Sequence, residues 1–383
     1  MSTSASPTFR HGDRGPAVTE IRDRLQRLGL LAPAGDPDAT GPGDGASPLD
    51  AALFDSAVDV AVRQFQQQRG LIVDGIVGRH TFRRLEEARW QLGDRVLSFR
   101  AGHLHSGDDV SGLQSRLSQF GFDLGRVDGI FGPRTDMALR EFQRSVGISP
   151  DGTCGPDTLR ALTRLSRTMG GPGSQSGLRE LTQLAQLATG VADKVVVLDP
   201  GHGGEDPPRH APAQLGLTES AIVDDLVSRV EGRLAAIGVQ VVLTRAPGSL
   251  VVPDEAQRAE FANAVSADLV LSLHVDAIAS PVASGVATFY YGDMGVGTRS
   301  SLGARAATFV LEELTSRTDL ADCRTHTKTW DLLRLTRMPT VRVECGYLSS
   351  PYDCARLADP VFRDVLAEGL AAAVVRFFAP DPE

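Results

Sequence analysis

Val195-Val-Val-Leu-Asp-Pro-Gly-His-Gly-Gly204 limits what this chain can fold into more than any other stretch. Four apolar residues in a row, three of them β-branched, predict a strand buried on both faces. Pro200 and Gly201 predict its abrupt end, and the turn that follows carries His202. A histidine at the C-terminal edge of a buried strand is placed for chemistry, because ligands of open α/β sheets collect there. Two further potential metal ligands lie downstream, Glu219 and His274, and then a lone carboxylate, Glu344. These four residues read as a zinc site and its base.

From Lys194 onward, strand and helix patterns alternate, which predicts an α/β domain. Strands are expected at Val195–Leu198, Gln240–Thr244, Leu269–His274, Val286–Tyr291 and Val341–Glu344. Helices are expected at Ser220–Ile237, Pro253–Ala264, Leu302–Thr315 and Pro360–Phe377. Thr218 is a natural N-cap for the first of these, and a carboxylate at Glu219 suits the helix dipole. Helix capping is therefore the plainer reading of Glu219. Ile222, Leu226, Val230 and Leu234 form the core face of that helix, and Gly238 fits its C′ position.

In Leu269-Val-Leu-Ser-Leu-His-Val275, Ser272 and His274 share one face of the strand. A single buried histidine is more often a hydrogen-bonded part of a core than a ligand. Two histidines that each end a buried strand, with an acid between them in sequence, favour metal. Zinc accepts imidazole nitrogen and carboxylate oxygen, and a catalytic zinc takes three protein ligands with water in the fourth place. Such a metal lowers the pKa of water toward about 7 and polarises a carbonyl. In Val341-Arg-Val-Glu-Cys-Gly346, Glu344 lies on a strand where it could take a proton and pass it to a leaving amine. The plainer alternative is an Arg342–Glu344 surface pair.

The first half contains one unit twice. The first opens at Gly12-Asp13 with a helical face of Val18, Ile21, Leu25 and Leu28; the second opens at Gly107-Asp108 with Val110, Leu113, Leu117 and Phe120. Steps of three and four residues mark amphipathic helices. Each unit then has a second helix ending in Phe-Gln, at Phe65-Gln66 and Phe142-Gln143. A turn and a third helix follow, through Val73-Asp-Gly-Ile-Val-Gly78 and Pro150-Asp-Gly-Thr-Cys-Gly155. The Asp-Gly pairs supply a residue able to take positive φ. Each unit is thus expected to be a three-helix bundle. The first carries an insertion at 32–48, rich in Gly, Pro, Asp and Ala, expected to be a mobile loop. A turn-rich linker joins the halves, with a short helix expected at 178–187.

At 383 residues, the chain has room for two or three domains, and its 42% hydrophobic content is enough for proper cores. A net charge of −9 argues against nucleic acid or an anionic membrane as the main partner. The opening Met1-Ser-Thr-Ser-Ala-Ser-Pro lacks the apolar core of a signal peptide, and no apolar run is long enough to span a bilayer. A cytoplasmic location without membrane insertion is therefore expected. Cys154, Cys323, Cys345 and Cys354 form no C-x-x-C pair, so a cysteine-only zinc site is not expected. Free thiols fit best, with a Cys345–Cys354 disulfide left open.

The two helical units resemble the peptidoglycan-binding type 1 family. The second carries its pattern at Val110, Leu113-Gln114, Leu117, Phe142-Gln143, Asp151-Gly152, Gly155 and Thr158, whereas the first has Ile21-Arg22 for the usual Leu-Gln. That likeness implies binding of cell-wall glycan or stem peptide. The second half resembles the amidase-3 type of N-acetylmuramoyl-L-alanine amidases. The matching segments include Leu198–Gly204, Leu217-Thr-Glu219, Leu243-Thr-Arg245, Ala262-Asn263, Ser272-Leu-His274, Leu333–Pro339 and Val343–Ser349.

The amidase resemblance implies Zn2+ held by His202, Glu219 and His274, with Glu344 as the catalytic glutamate. It also implies hydrolysis of the amide between N-acetylmuramic acid and L-alanine, on peptidoglycan or muropeptide fragments. The loop 205–215 departs from the family pattern and brings in His210, more simply a loop histidine than a ligand, and Cys345 replaces the commoner Thr or Ala. Taken together, the order of parts resembles the actinobacterial CwlM-type proteins. That implies an alternative: a cytoplasmic regulator of peptidoglycan precursor synthesis, which binds a precursor-synthesis enzyme and answers to a Ser/Thr kinase, with weak or no hydrolysis. Thr40 and Ser47 are candidate phosphorylation sites. The expected layout is a repeat at 10–92, a second at 103–166, a linker at 167–193 and an α/β zinc-amidase domain at 194–379, its sheet mixed or mostly parallel and flanked by helices.

Overall fold

The two heptad-like faces of the first half become helices, each packed around its own core. The computed structural model describes residues 8–32, 52–168, 187–201, 218–249, 251–277, 282–293 and 298–380. Thr40, Ser47 and His210 lie outside the described residues, as do nearly all of the 32–48 insertion and all of the helix expected at 178–187 except Leu187. The chain divides into Met1–Ser176 with Asp293–Thr298, and Gly177–Gly292 with Arg299–Glu383.

In the first unit, α1 (Pro16–Arg27), α2 (Ser56–Gln68) and α3 (Arg79–Glu87) form one bundle. After β1 (Leu97–Ser98), α4 (Asp108–Gln119), α5 (Pro133–Ser145), β2 (Thr153–Cys154) and α6 (Pro156–Thr168) form the other. Val18, Ile21 and Leu25 bury against Val58, Phe65 and Leu85; Val110, Leu113 and Leu117 bury against Leu139, Phe142 and Leu162. Phe142 is stacked by Phe120 and met edge-on by Phe122, with ring centroids 5.9 and 5.7 Å away. Full burial of such a ring stabilises by roughly 1.5–3 kcal/mol. β1 pairs antiparallel with β2, a contact too short to show as a pattern in sequence.

The Phe-Gln and Asp-Gly motifs turn out to be two halves of one device. The buried Gln143 side chain donates from Nε2 to Asp151 Oδ1, Thr153 O and Thr158 Oγ1, and its Oε1 accepts from Gly152 N at 2.9 Å. Gln66 does the same with Asp74, Ile76, Thr81 and Gly75. Gln114 repeats it with Asp128, Ile130, Thr135 and Gly129. One amide thus closes a turn whose backbone groups would otherwise be buried without partners. The glycine is required: Gly152 has φ +70°, and a Cβ there would stand 2.2 Å from Asp136 Oδ1. In the fourth equivalent place, Arg22 stands for glutamine. It donates to Leu53 O and pairs with Asp55, the N-cap of α2.

The strands of the large sheet are β3 (Val195–Pro200), β4 (Gln240–Leu243), β5 (Leu269–Asp276), β6 (Val286–Asp293), β7 (Thr298–Arg299), β8 (Asp322–Lys328) and β9 (Thr340–Tyr347). The helices are α7 (Glu219–Ala236), α8 (Glu255–Ala264), α9 (Ser301–Arg317), α10 (Asp331–Leu335), α11 (Pro351–Ala358) and α12 (Pro360–Phe378). The sheet order is β4-β3-β5-β9-β6-β7, with β8 paired to β6. β4, β3, β5 and β9 run parallel, β6 runs antiparallel to β9, and β8 is parallel to β6. The sheet is therefore mixed and mostly parallel, with helices packed on it.

β3 shows why its run is apolar. Val196 and Leu198 enter the larger core with Leu226, Leu271 and Val343, while Val197 enters a smaller one with Ala262, Val270 and Met338. A strand covered on both sides needs apolar residues at every position. Asp199 is the exception in this run, and it leads to the site. All four cysteines are free thiols.

Candidate active site

Parallel register brings the polar residues of three strands to one place. Asp199 of β3 pairs with Ser272 of β5, and Ser272 and His274 pair in turn with Arg342 and Glu344 of β9. Residues in register share a face, so these side chains gather on the side of the sheet that carries Val197 and Val270. The register between β5 and β9 shifts just after His274, between His274 and Asp276. Such an irregularity re-aims the strand end next to a site.

His274 is fixed by a buried relay. Ser272 Oγ lies 2.5 Å from Asp199 Oδ2 and 3.0 Å from His274 Nε2. Arg258 Nη1 donates to the same Asp199 oxygen at 2.7 Å, and Thr244 Oγ1 donates to Asp199 Oδ1 at 2.5 Å. A carboxylate only accepts, so the one serine proton goes to Asp199. Ser272 Oγ must then accept from His274 Nε2–H, which leaves the lone pair of the neutral ring on Nδ1. That Nδ1 lies 3.7 Å from Glu219 Oε1.

Glu219 reaches this point from the first turn of α7. Thr218 caps the helix, its hydroxyl accepting from Ala221 N at 3.2 Å. Glu219 Oε1 also accepts from Val275 N at 3.3 Å. It does more than favour the helix dipole: burial, and then the nearby charge of Glu344, push its carboxyl up to about 8.

Glu344 is buried, and the predicted Arg342 pair exists but is not a surface pair. Arg342 donates to Glu344 Oε1 from Nε at 2.8 Å and from Nη2 at 2.6 Å. Oε2 of Glu344 is buried and, among the described residues, takes no hydrogen bond. Burial raises the Glu344 pKa, and the Arg342 charge pulls the other way without cancelling it. Arg342 lies over the Trp330 ring, 4.5 Å from its centroid.

His202 lies outside the described residues, so the structure brings together Glu219, His274 and Glu344 of the four predicted residues. The chain is described up to Gly201, whose N–H donates to Leu273 O at 2.8 Å. A Cβ on Gly201 would stand 2.2 Å from His274 Cε1, so only glycine lets this backbone lie against the ring. Arg245 anchors the same corner, donating to Pro200 O and Gly201 O and pairing with Asp224 at 2.8 Å.

The sequence reading passed over Asp199, Thr244, Arg245 and Arg258 as functional groups. One signal was available: a charge inside Val-Val-Val-Leu-Asp-Pro, on a strand covered on both faces, requires a partner elsewhere in the chain.

Comparison with known proteins gives consistent relatives. Residues 196–376 match the N-acetylmuramoyl-L-alanine amidase family, and residues 14–85 and 106–162 match a peptidoglycan binding domain. The N-acetylmuramoyl-L-alanine amidase CwlM of Mycobacterium tuberculosis is 45% identical over 97% of this chain and 89% of its own length. The germination-specific N-acetylmuramoyl-L-alanine amidase of Bacillus subtilis is 28% identical over 49% of this chain and 81% of its own length. Among solved structures, the N-acetylmuramoyl-L-alanine amidase AmiC2 of Nostoc punctiforme is 30% identical, covering 49% of this chain and 98% of its own, with a TM-score of 0.43.

Proposed function

Because the chain belongs to the N-acetylmuramoyl-L-alanine amidase family, we propose that it is a zinc hydrolase of the amide between N-acetylmuramic acid and L-alanine in peptidoglycan. In this reading, His202, Glu219 and His274 hold the metal and Glu344 carries the proton. The observation that carries it is the pairing of Glu219 Oε1 and His274 Nδ1 at 3.7 Å, with the histidine tautomer set by Ser272 and Asp199.

The donor set fits zinc. Two ligands each about 2.1 Å from a tetrahedral ion stand about 3.4 Å apart, close to the separation seen. A metal-ligating histidine has its far N–H held by a hydrogen bond, and here Ser272 Oγ takes that place. His202 follows Gly201 in sequence, and the Gly201 backbone lies against the His274 ring. Bound there, zinc supplies the Lewis acidity that lowers the pKa of water and polarises the scissile carbonyl.

The protein's own groups account for the rest. Asp199 and Ser272 hold His274 in one tautomer. Arg245 holds the backbone at Pro200 and Gly201. Glu344, buried and with one oxygen that takes no hydrogen bond among the described residues, can accept a proton from attacking water and return it to the leaving L-alanine nitrogen. The two helical repeats would hold the protein on wall or muropeptide while this happens.

The test is release of stem peptide from a defined muropeptide by the zinc-loaded protein. Hydrolysis that stops in Glu344→Gln supports the reading. A zinc-loaded wild type that releases no peptide overturns it. If such an inert protein also recovered a precursor-synthesis enzyme from cytosol, the regulatory reading of the same architecture would replace it. Phosphopeptide mapping at Thr40 and Ser47 checks the kinase expectation.

A further inference from the structure

The Arg342–Glu344 contact is unlike an ordinary ion pair. A guanidinium meeting a carboxylate usually forks, one N–H to each oxygen. Here Nε and Nη2 of Arg342 both donate to Glu344 Oε1, at 2.8 and 2.6 Å, and among the described residues nothing donates to the buried Oε2. A buried carboxylate oxygen without a donor is costly. The fold holds Arg342 in this geometry from two other sides. Its guanidinium lies over the Trp330 ring at 4.5 Å, and Nη1 is 4.0 Å from Glu255 Oε1. Glu255 is itself placed by accepting from Leu332 N at 3.3 Å. The strand neighbours of Glu344 are His274 on β5 and the small Ala287 on β6.

We propose that Arg342 is a positioning residue: it grips Glu344 by Oε1 alone, so that Oε2 is the single oxygen that carries the proton in hydrolysis. The inference rests on the hydrolytic reading of the site and assigns its base one working atom. Trp330 and Glu255 keep the guanidinium from rotating into the symmetric fork, which would tie up both oxygens. The Arg342 charge also acts on the proposed ligand Glu219, so zinc content is measured beside the rate.

The experiment uses the full chain with Arg342→Met, Arg342→Lys and Glu344→Gln, and the double variant Arg342→Met/Glu344→Gln. For Arg342→Met, kcat on a muropeptide is expected to fall about 10- to 100-fold, as for other supporting partners, with KM and zinc content near wild type. Arg342→Lys keeps the charge without the two-toothed grip and is expected to recover only part of kcat. Thermal unfolding of the single and double variants should be non-additive, because neutral Glu344→Gln relieves the charge stranded by Arg342→Met. Wild-type kcat in Arg342→Met overturns the proposal. So does a fall explained by lost zinc, or strictly additive unfolding shifts. A wild type that is inert with zinc bound overturns the hydrolytic reading instead, and the unfolding cycle then still decides whether Arg342 grips Glu344.

Discussion

The helical repeats and the C-terminal ends of the central strands both bury polar side chains, but they use them in opposite ways. In the repeats, Gln66, Gln114 and Gln143 each spend the amide on one turn, and the turn's backbone groups are closed by it. At the strand ends, Asp199 and Ser272 hold His274 by Nε2, its Nδ1 stands 3.7 Å from Glu219 Oε1, and among the described residues Glu344 Oε2 takes no hydrogen bond. A closed network specifies structure, while one with an open end is poised for a ligand or a proton. Burial of polar residues therefore does not mark a site by itself. What marks it is where the network stops.

Substitutions on the two sides should separate these roles. The largest effect is expected from Glu344→Gln, which should lower the hydrolytic rate by about 10²- to 10⁴-fold, the usual share of a general acid–base group, while unfolding temperature and zinc content hold. A variant that keeps its rate would remove Glu344 from the chemistry. Next, Asp199→Asn should loosen the hold on His274 and weaken zinc binding by about 10- to 100-fold, read by competition with a chelator. Unchanged affinity would make the relay as purely structural as the glutamines. Third, Gln143→Ala should destabilise the helical unit by about 1–3 kcal/mol, seen in denaturant unfolding, with zinc affinity unaltered. A change in zinc affinity here would blur the contrast. The smallest effect belongs to Arg160→Ala, which breaks only the exposed Asp157 pair on α6. Its unfolding free energy should stay within about 0.5 kcal/mol of wild type.

Much of this was legible in sequence, for reasons that differ by element. β3 and β5 announce themselves because a strand covered on both faces cannot hide its composition. α7 was delimited by Thr218 at one end and Gly238 at the other, and the structure ends it there, with Gly238 at φ +88°. β8 was missed: Asp322-Cys-Arg-Thr-His-Thr-Lys328 pairs with β6 but carries no buried apolar face to betray it. α10 and α11 are short, five and eight residues, and leave too little period to read. In the repeats, Ile21-Arg22 stands where the pattern has Leu-Gln. Arg22 instead fills the glutamine's place by reaching Leu53 O and the helix cap Asp55. Of the site, residue types and strand ends pointed to Glu219, His274 and Glu344. The supports Arg258 and Thr244 come from distant segments, and nothing in their local pattern shows that β3 and β5 bring Asp199 to them.

The central claim is that one zinc ion is held by His202, Glu219 and His274. Its most direct test is the metal content of the purified full chain beside Glu219→Ala and His274→Ala variants. The account predicts about one zinc per chain in the wild type, as a three-ligand catalytic site holds, and near-complete loss in both variants with folding intact. A wild type that takes up no zinc, or variants that keep it, would contradict the account.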